Sequence, residues 1–191
     1  MTKSIDFFFD FISPYSYLAH KKIKTFKKEN INFTYKPVLL GGLHNLQGIT
    51  APAFIKAKLK HMINDCNLIA KKNDFDFTWN SKFPINSLSI MRGYLFIDNK
   101  ELYLDTFFNA YWKDDLDISN EEVLTKLIKK CNIDSNSFFK GIKKQSIKDE
   151  LTNATKDAHD NEIFGAPSFV VNNKLFWGQD RLKFALEEYK K

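Results

Sequence analysis

FFFDFISPYSYLA, at residues 7–19, is the stretch that decides the fold of this chain. Apolar side chains alternate over 4–11, which is typical of a strand buried on both faces and therefore central in its sheet. Ser13 and Pro14 then end the strand and begin a helix, because serine is a favoured N-cap and proline fits the first helical position. The stretch predicts a central strand followed directly by a helix.

The rest of the chain predicts an α/β fold in the order β-α-β, a helical block, then β-β-α. A second strand is predicted over 32–40, where Gly41-Gly42 ends it. Near the other end, Asn172-Asn173 tolerates the positive φ angles of a two-residue hairpin turn between two short strands. The expected later elements are helices over 51–72, 87–98, 102–112, 120–130, 135–144 and 147–161, strands over 168–171 and 175–178, and a last helix over 180–190.

This order is that of a thioredoxin-like fold carrying a large all-helical insertion. We expect residues 1–45 and 162–191 to form the thioredoxin-like domain and residues 46–161 to form the insertion domain. The helix over 120–130 is expected to begin with a capping box made by Ser119 and Glu122.

The charge pattern argues against a nucleic-acid partner. The formal net charge is +6, but the positive charge is almost entirely scattered lysine, and the two arginines are Arg92 and Arg181. Surfaces that bind nucleic acid usually cluster arginine and lysine on one face. A lysine-rich surface still favours encounters with small anions.

The sequence also argues against a membrane or metal protein. No apolar run approaches the ~18–20 residues that span a bilayer, and no signal peptide is evident, so we expect a cytoplasmic location. The isolated Cys66 and Cys131 fit a reducing compartment. The histidines lack the spacing of metal ligands, and we expect no metal site; they are His20, His44, His61 and His159.

Ser13 stands where a thioredoxin fold places its reactive group, at the N-terminus of the first helix. The helix dipole and free N–H groups favour an anion there. A serine hydroxyl forms no disulfide, but it can donate a hydrogen bond to the thiolate of a ligand and lower the pKa of that thiol. The alternative is that Ser13 only caps the helix.

Two further features follow late in the chain. Pro167 immediately precedes a hairpin strand, and a cis bond there would turn the Ala166 backbone outward to pair with an extended peptide; an ordinary loop proline is the alternative. Asp180, in the stretch 177–182, offers a helix N-terminus with an acid that suits an ammonium or carboxylate group, or else a simple Asp cap.

Taken together, the motifs closely resemble the 2-hydroxychromene-2-carboxylate isomerase family, the bacterial relatives of kappa-class glutathione transferases within the DsbA-like group. The resemblance covers nearly the full chain. The stretches that carry it are FFFDFISPYSYLA (7–19), PVLLGG (37–42), FPINS (83–87) with Met91-Arg92, FGAP (164–167) and WGQDRL (177–182).

The resemblance implies a DsbA-like fold that binds reduced glutathione as a cofactor, with Ser13 as the catalytic serine beside the glutathione sulfur. The implied glutathione-binding residues are Ser13, Pro14, Tyr15, Lys58, Ala166, a cis Pro167, Gln179 and Asp180, and the implied substrate pocket is Tyr15, Asn86 and Trp177.

The implied substrate is a small electrophile, namely an anionic aromatic as in aromatic catabolism, and a homodimer is expected. The thiolate would add to the substrate, a bond would rotate after ring opening, and elimination would return glutathione. Ile49 departs from the family pattern, which has asparagine at that point in contact with glutathione.

Three alternatives stay open at this point. The first is a kappa-like glutathione transferase or peroxidase, which would consume glutathione. The second is a disulfide oxidoreductase, which the absence of cysteine at positions 13 and 16 disfavours. The third is a non-catalytic thioredoxin-fold binding module, which the departure at Ile49 keeps open.

Overall fold

The first strand lies inside a mixed sheet of the computed structural model, which describes residues 3–26 and 29–191. Within those residues the strand order is β2-β1-β3-β4, with β1 parallel to β2 and antiparallel to β3. The predicted central position of the first strand is therefore confirmed. The strands are β1 (Ile5–Phe9), β2 (Phe33–Pro37), β3 (Ser168–Val171) and β4 (Lys174–Trp177).

Helices flank the sheet and fill the chain between β2 and β3, as predicted. Short 3-10 helices cover Pro52–Phe54 and Gln179–Arg181. In the described part of the chain, no helix is long and apolar enough to cross a membrane. The α-helices are α1 (Pro14–Thr25), α2 (Leu40–Leu46), α3 (Lys56–Lys72), α4 (Leu88–Phe96), α5 (Lys100–Trp112), α6 (Glu121–Lys130), α7 (Ser135–Gly141), α8 (Gln145–Asp160) and α9 (Leu182–Tyr189).

An aromatic core joins the sheet to the helical block. Phe7, Phe9 and Phe11 are fully buried, and the ring of Phe11 lies 4.7 Å from that of Phe108 on α5. The indole N–H of Trp112 donates to the Phe11 carbonyl at 2.8 Å. Because this donor satisfies a carbonyl just beyond the end of β1, α5 is fixed against the strand that precedes the first helix.

The second strand ends earlier than predicted, and a helix that the sequence did not predict follows it. Gly41 and Gly42 lie inside α2 rather than ending a strand at Leu40. A Cβ on Gly42 would lie 3.3 Å from the side chain of Thr155 on α8, so glycine permits close packing of these two helices. Gly41-Gly42 was therefore wrongly interpreted, because tertiary contact outweighs low helix propensity.

The capping box predicted at Ser119 and Glu122 is also wrong. Asn120 is the N-cap of α6, and its side-chain oxygen accepts from the N–H groups of Glu122 and Val123 at 3.0 and 3.1 Å. The Ser119 hydroxyl instead bonds to Asp117. Asparagine and serine are about equally good N-caps, so local sequence does not choose between neighbours.

The hairpin prediction is confirmed, since Asn172 and Asn173 have φ angles of 50° and 58°. The start of the helix predicted over 51–72 is wrong, because the 3-10 turn precedes α3. Other predicted ends differ from the observed ones by a few residues, as is usual where helices fray.

We expect Gly93→Ala to destabilise the fold by about 3 kcal/mol, because overpacking a filled core forces buried side chains apart. A Cβ at Gly93 on α4 would lie 2.6 Å from the Phe138 ring and would collide with the Tyr103 hydroxyl. Chemical denaturation measures this change directly.

The matched control is Gly41→Ala, since nothing lies within 4 Å of a Cβ at this position in α2. Alanine there should stabilise by about 0.5–1 kcal/mol through helix propensity. Equal effects of the two substitutions would contradict the packing at Gly93.

Candidate active site

Ser13 caps α1 and also forms a hydrogen bond with the loop that precedes β3. Its hydroxyl accepts from the Ser16 N–H at 3.1 Å, which confirms the predicted N-cap, and Pro14 occupies the first turn. The same hydroxyl donates to the Ala166 carbonyl at 2.9 Å. Ser13 therefore joins the first helix to the loop before β3, and it is not only a helix cap.

The loop opposite Ser13 has the conformation that the resemblance implied. The Ala166–Pro167 peptide bond is cis, and the Pro167 carbonyl accepts from the Gly178 N–H at 2.9 Å. A Cβ on Gly165 would lie 2.7 Å from the indole nitrogen of Trp177, so only glycine fits without displacing that ring. These contacts hold the Ala166 backbone beside the N-terminus of α1.

Tyr15 bonds to a helix of the insertion rather than to the loop. Its hydroxyl donates to the Asp65 carboxylate on α3 at 2.9 Å. Burial, together with the nearby Cys66 and Asp65, raises the pKa of Tyr15, so it remains a neutral phenol at physiological pH. Burial likewise raises the pKa of Cys66 to about 12, which keeps that cysteine an unreactive thiol.

The sequence analysis did not identify Asp65 as a site residue, although its spacing from Lys58 could have indicated it. Lys58 and Asp65 are seven residues apart on α3, which places them on the same helix face two turns apart. Lys58 is exposed, so its ammonium group lies on the same face of α3 as Asp65, the residue that bonds to Tyr15.

Two of the residues implied for a substrate pocket, Trp177 and Asn86, have their described contacts with residues other than Ser13. Trp177 is 56 % exposed and stacks edge-on with Phe164 at 5.1 Å, next to the cis-proline loop. Asn86 instead accepts from the Leu88 N–H at 2.9 Å, which fixes the start of α4. Ile49, at the point of departure from the family pattern, is also exposed.

Gln179 and Asp180 occupy a 3-10 turn, whereas the last helix was predicted to begin at Asp180. Gln179 is buried, and its side-chain oxygen accepts from the Lys22 ammonium. Asp180 forms no cap bond and pairs with Arg181 at 2.9 Å. A Cβ on Gly178 would lie 2.6 Å from the Asp180 carboxylate, and this glycine has a φ of +107° that other residues rarely adopt.

Asp10 is a buried carboxylate beneath the Ser13 loop that the sequence analysis did not single out. Its oxygens accept from the N–H groups of Ile12 at 3.1 Å and Leu40 at 2.8 Å, and its own carbonyl accepts from the Ser13 N–H. Burial raises the pKa of Asp10 to about 6, although these bonds and the Ser87 side chain oppose the change. An acid inside the apolar stretch 7–12 was the available signal.

Comparison with known proteins identifies the fold. The family model described as "DSBA-like thioredoxin domain" matches residues 4–190. The chain is 28% identical to 2-hydroxychromene-2-carboxylate isomerase of Sphingobium xenophagum, over 99% of this chain and 98% of the relative. It is 26% identical to glutathione S-transferase kappa 1 of Caenorhabditis elegans, over 93% of this chain and 86% of the relative.

A solved structure of a 2-hydroxychromene-2-carboxylate isomerase superposes with a TM-score of 0.86 at 23% identity, and the match covers 96% of this chain and 92% of that one. At this identity the likeness concerns the fold. The predicted DsbA-like fold and the resemblance to these isomerases are therefore confirmed.

We expect the stability of the wild type to depend on the protonation of Asp10. Its pKa is higher in the native state than the ordinary 3.8, so its contribution to the free energy of unfolding is complete below about pH 4 and is lost as the pH rises through about 6. The loss is about 3 kcal/mol. Asp10→Asn should lack this dependence, which denaturant titrations between pH 4 and 7.5 would measure.

The control is Asp157→Asn, which removes an exposed carboxylate from α8. It should keep the pH profile of the wild type. Parallel profiles of the wild type and Asp10→Asn would show that Asp10 does not titrate in this range.

Proposed function

The chain belongs to the DSBA-like thioredoxin domain family, and on that basis we propose that it is a glutathione-dependent isomerase of the 2-hydroxychromene-2-carboxylate isomerase type. The observation that carries this proposal is the position of the Ser13 hydroxyl, at the N-terminus of α1 and 2.9 Å from the Ala166 carbonyl. The names of the curated isomerase relatives support an enzyme of this class.

Glutathione binding involves an exchange of hydrogen bonds at this position. Ser13 has one hydroxyl proton, which bonds to Ala166 in the structure. When the cysteinyl unit of glutathione lies along the loop, its backbone N–H replaces Ser13 as the donor to the Ala166 carbonyl. The Ser13 proton then turns toward the sulfur, and both backbone and hydroxyl remain satisfied.

The thiolate is stabilised from two directions. The Ser13 hydroxyl supplies one charge-assisted hydrogen bond, and the N-terminus of α1 supplies a positive partial charge. The first turn of α1 contains no acidic residue that would oppose the thiolate. Pro14 and the neutral Tyr15 lie beside this position, and neither adds negative charge.

The remaining residues hold the ends of the tripeptide. Lys58 supplies an ammonium to a carboxylate, whereas Gln179 and Asp180 hold the γ-glutamyl end. The Ile49 side chain offers no hydrogen bond to glutathione, whereas an asparagine at this position would. Glutathione binding in this chain therefore depends more on Lys58 and on the Ala166 backbone.

In the reaction, the thiolate adds to the chromene carbon at one end of a conjugated bond. As the thiolate bonds to that carbon, the double bond shifts toward the carboxylate-bearing carbon and the ring C–O bond breaks, which leaves its electron pair on the phenolate oxygen. The bond that has become single rotates. The hydroxyl on the carboxylate-bearing carbon then loses its proton and becomes a carbonyl as the double bond re-forms and the thiolate leaves, and this proton balances the one that the phenolate takes up. No glutathione is consumed, so Ser13 stabilises the same sulfur charge at the start and the end.

The substrate side of the site favours an anionic aromatic. Trp177 and Phe164 give an exposed aromatic wall beside the cis-proline loop, and Tyr15 adds an aromatic ring in the first turn of α1. We include Asn86, which lies two residues before α4, in the proposed substrate pocket. The lysine-rich surface favours the approach of a carboxylate.

The kappa transferase relative makes a transferase or peroxidase the second candidate, since the same activated thiolate would serve it. Stoichiometric loss of glutathione would identify that activity. We further propose a cytoplasmic homodimer, divided into a thioredoxin-like domain of residues 1–45 and 162–191 and a helical insertion of residues 46–161.

We expect Ser13→Ala to lower the thiolate fraction of bound glutathione about tenfold near neutral pH, because one charge-assisted hydrogen bond is lost. Ultraviolet thiolate absorbance during a glutathione titration measures this. Turnover of 2-hydroxychromene-2-carboxylate should fall by a similar factor or more.

Ser16→Ala is the matched control. Its hydroxyl is fully buried and has no hydrogen-bond partner among the described residues, so alanine there leaves no described group unpaired. It should bind and activate glutathione like the wild type. If wild type and Ser13→Ala behave alike, Ser13 is only a structural link and the chain is a non-catalytic binding module.

A further inference from the structure

A cavity of about 430 Å³ opens between the C-terminal half of α1, the end of α3 and the start of α9. Its size is within the range of pockets that hold small organic ligands. Apolar side chains from these elements and the segment after α3 form its walls, and they are Phe26, Ile69, Phe75 and Leu182. The cavity therefore offers a contact surface for an apolar body.

Positive charge gathers at the same cavity. Lys22, Lys72 and Lys183 line it, one from each of the three helices. Asp180 is the one acid among its described lining residues, and that carboxylate already pairs with Arg181. An apolar anion would complement both the walls and the excess charge.

The charges of these lysines act on one another. Lys22 is half-buried and donates to the side chain of Gln179. Burial lowers the pKa of Lys22, Asp180 opposes this, and Lys183 and Lys72 lower it further. A bound anion relieves this repulsion between like charges.

This cavity is separate from the thiol position. Lys22 follows Pro14 by eight residues on α1, which is about 12 Å along the helix axis. Of the proposed glutathione-binding residues, the cavity includes Gln179 and Asp180 but not those at the start of α1 or in the cis-proline loop.

We propose that this cavity binds a small apolar organic anion, such as an aromatic carboxylate, with its charge among Lys22, Lys72 and Lys183. The aromatic and aliphatic walls hold the body of the ligand, and the lysines hold its carboxylate. Binding is independent of Ser13 and of the glutathione thiol.

Calorimetric titration with 2-naphthoate tests the proposal, with 2-naphthamide as its neutral analogue. We expect the Kd of naphthoate to rise at least tenfold in the double variant Lys72→Met/Lys183→Met, and naphthamide to bind at least tenfold more weakly than naphthoate to the wild type. The control is Lys126→Met/Lys156→Met, which removes the same charge from exposed positions on α6 and α8. It should bind naphthoate like the wild type.

One further titration separates this site from the proposed catalytic one. Ser13→Ala should bind naphthoate like the wild type, even if glutathione activation proves absent. The proposal is overturned if both lysine double variants bind equally, if naphthamide binds as tightly as naphthoate, or if Ser13→Ala loses naphthoate binding.

Discussion

A fully buried carboxylate at the end of the first strand is the constraint on which the site depends. Asp10 accepts N–H groups from its own loop and from the start of α2, and the loop that it holds contains Ser13. An uncompensated charge in this position would be costly, so the backbone donors must be placed around it. The same bonds that satisfy Asp10 therefore fix the geometry of the loop before α1.

Hydrogen bonds at the loop before α1 join the first segment of the chain to later ones. The hydroxyl of Ser13 bonds to the carbonyl of Ala166, 153 residues later, and the indole of Trp112 bonds to the carbonyl of Phe11. Each bond satisfies a backbone group near the end of an element, where neither sheet nor helix supplies a partner. The position proposed to bind a thiol is thus built from both ends of the chain and supported by the helical block.

Serine at this position gives a different chemistry from cysteine on the same scaffold. A hydroxyl cannot exchange disulfides, and the thiols of Cys66 and Cys131 are buried. What remains is a hydrogen-bond donor at a helix N-terminus, which suits a thiolate that a ligand brings with it. The fold itself does not decide between these chemistries, because the chemistry follows from single residues placed on it.

The sequence by itself determined the strand-helix start, the cap at Ser13, the hairpin at Asn172, and the β-α-β and β-β-α order at the two ends of the chain, because these depend on short-range patterns of burial and φ preference. The motifs also pointed to Ser13 and Pro167 as parts of one site. Only the tertiary structure decided that Gly41 lies in a helix, that Asp65 holds Tyr15, and that Asp10 lies buried under the loop. These features depend on contacts between residues far apart in the chain, which no local pattern encodes.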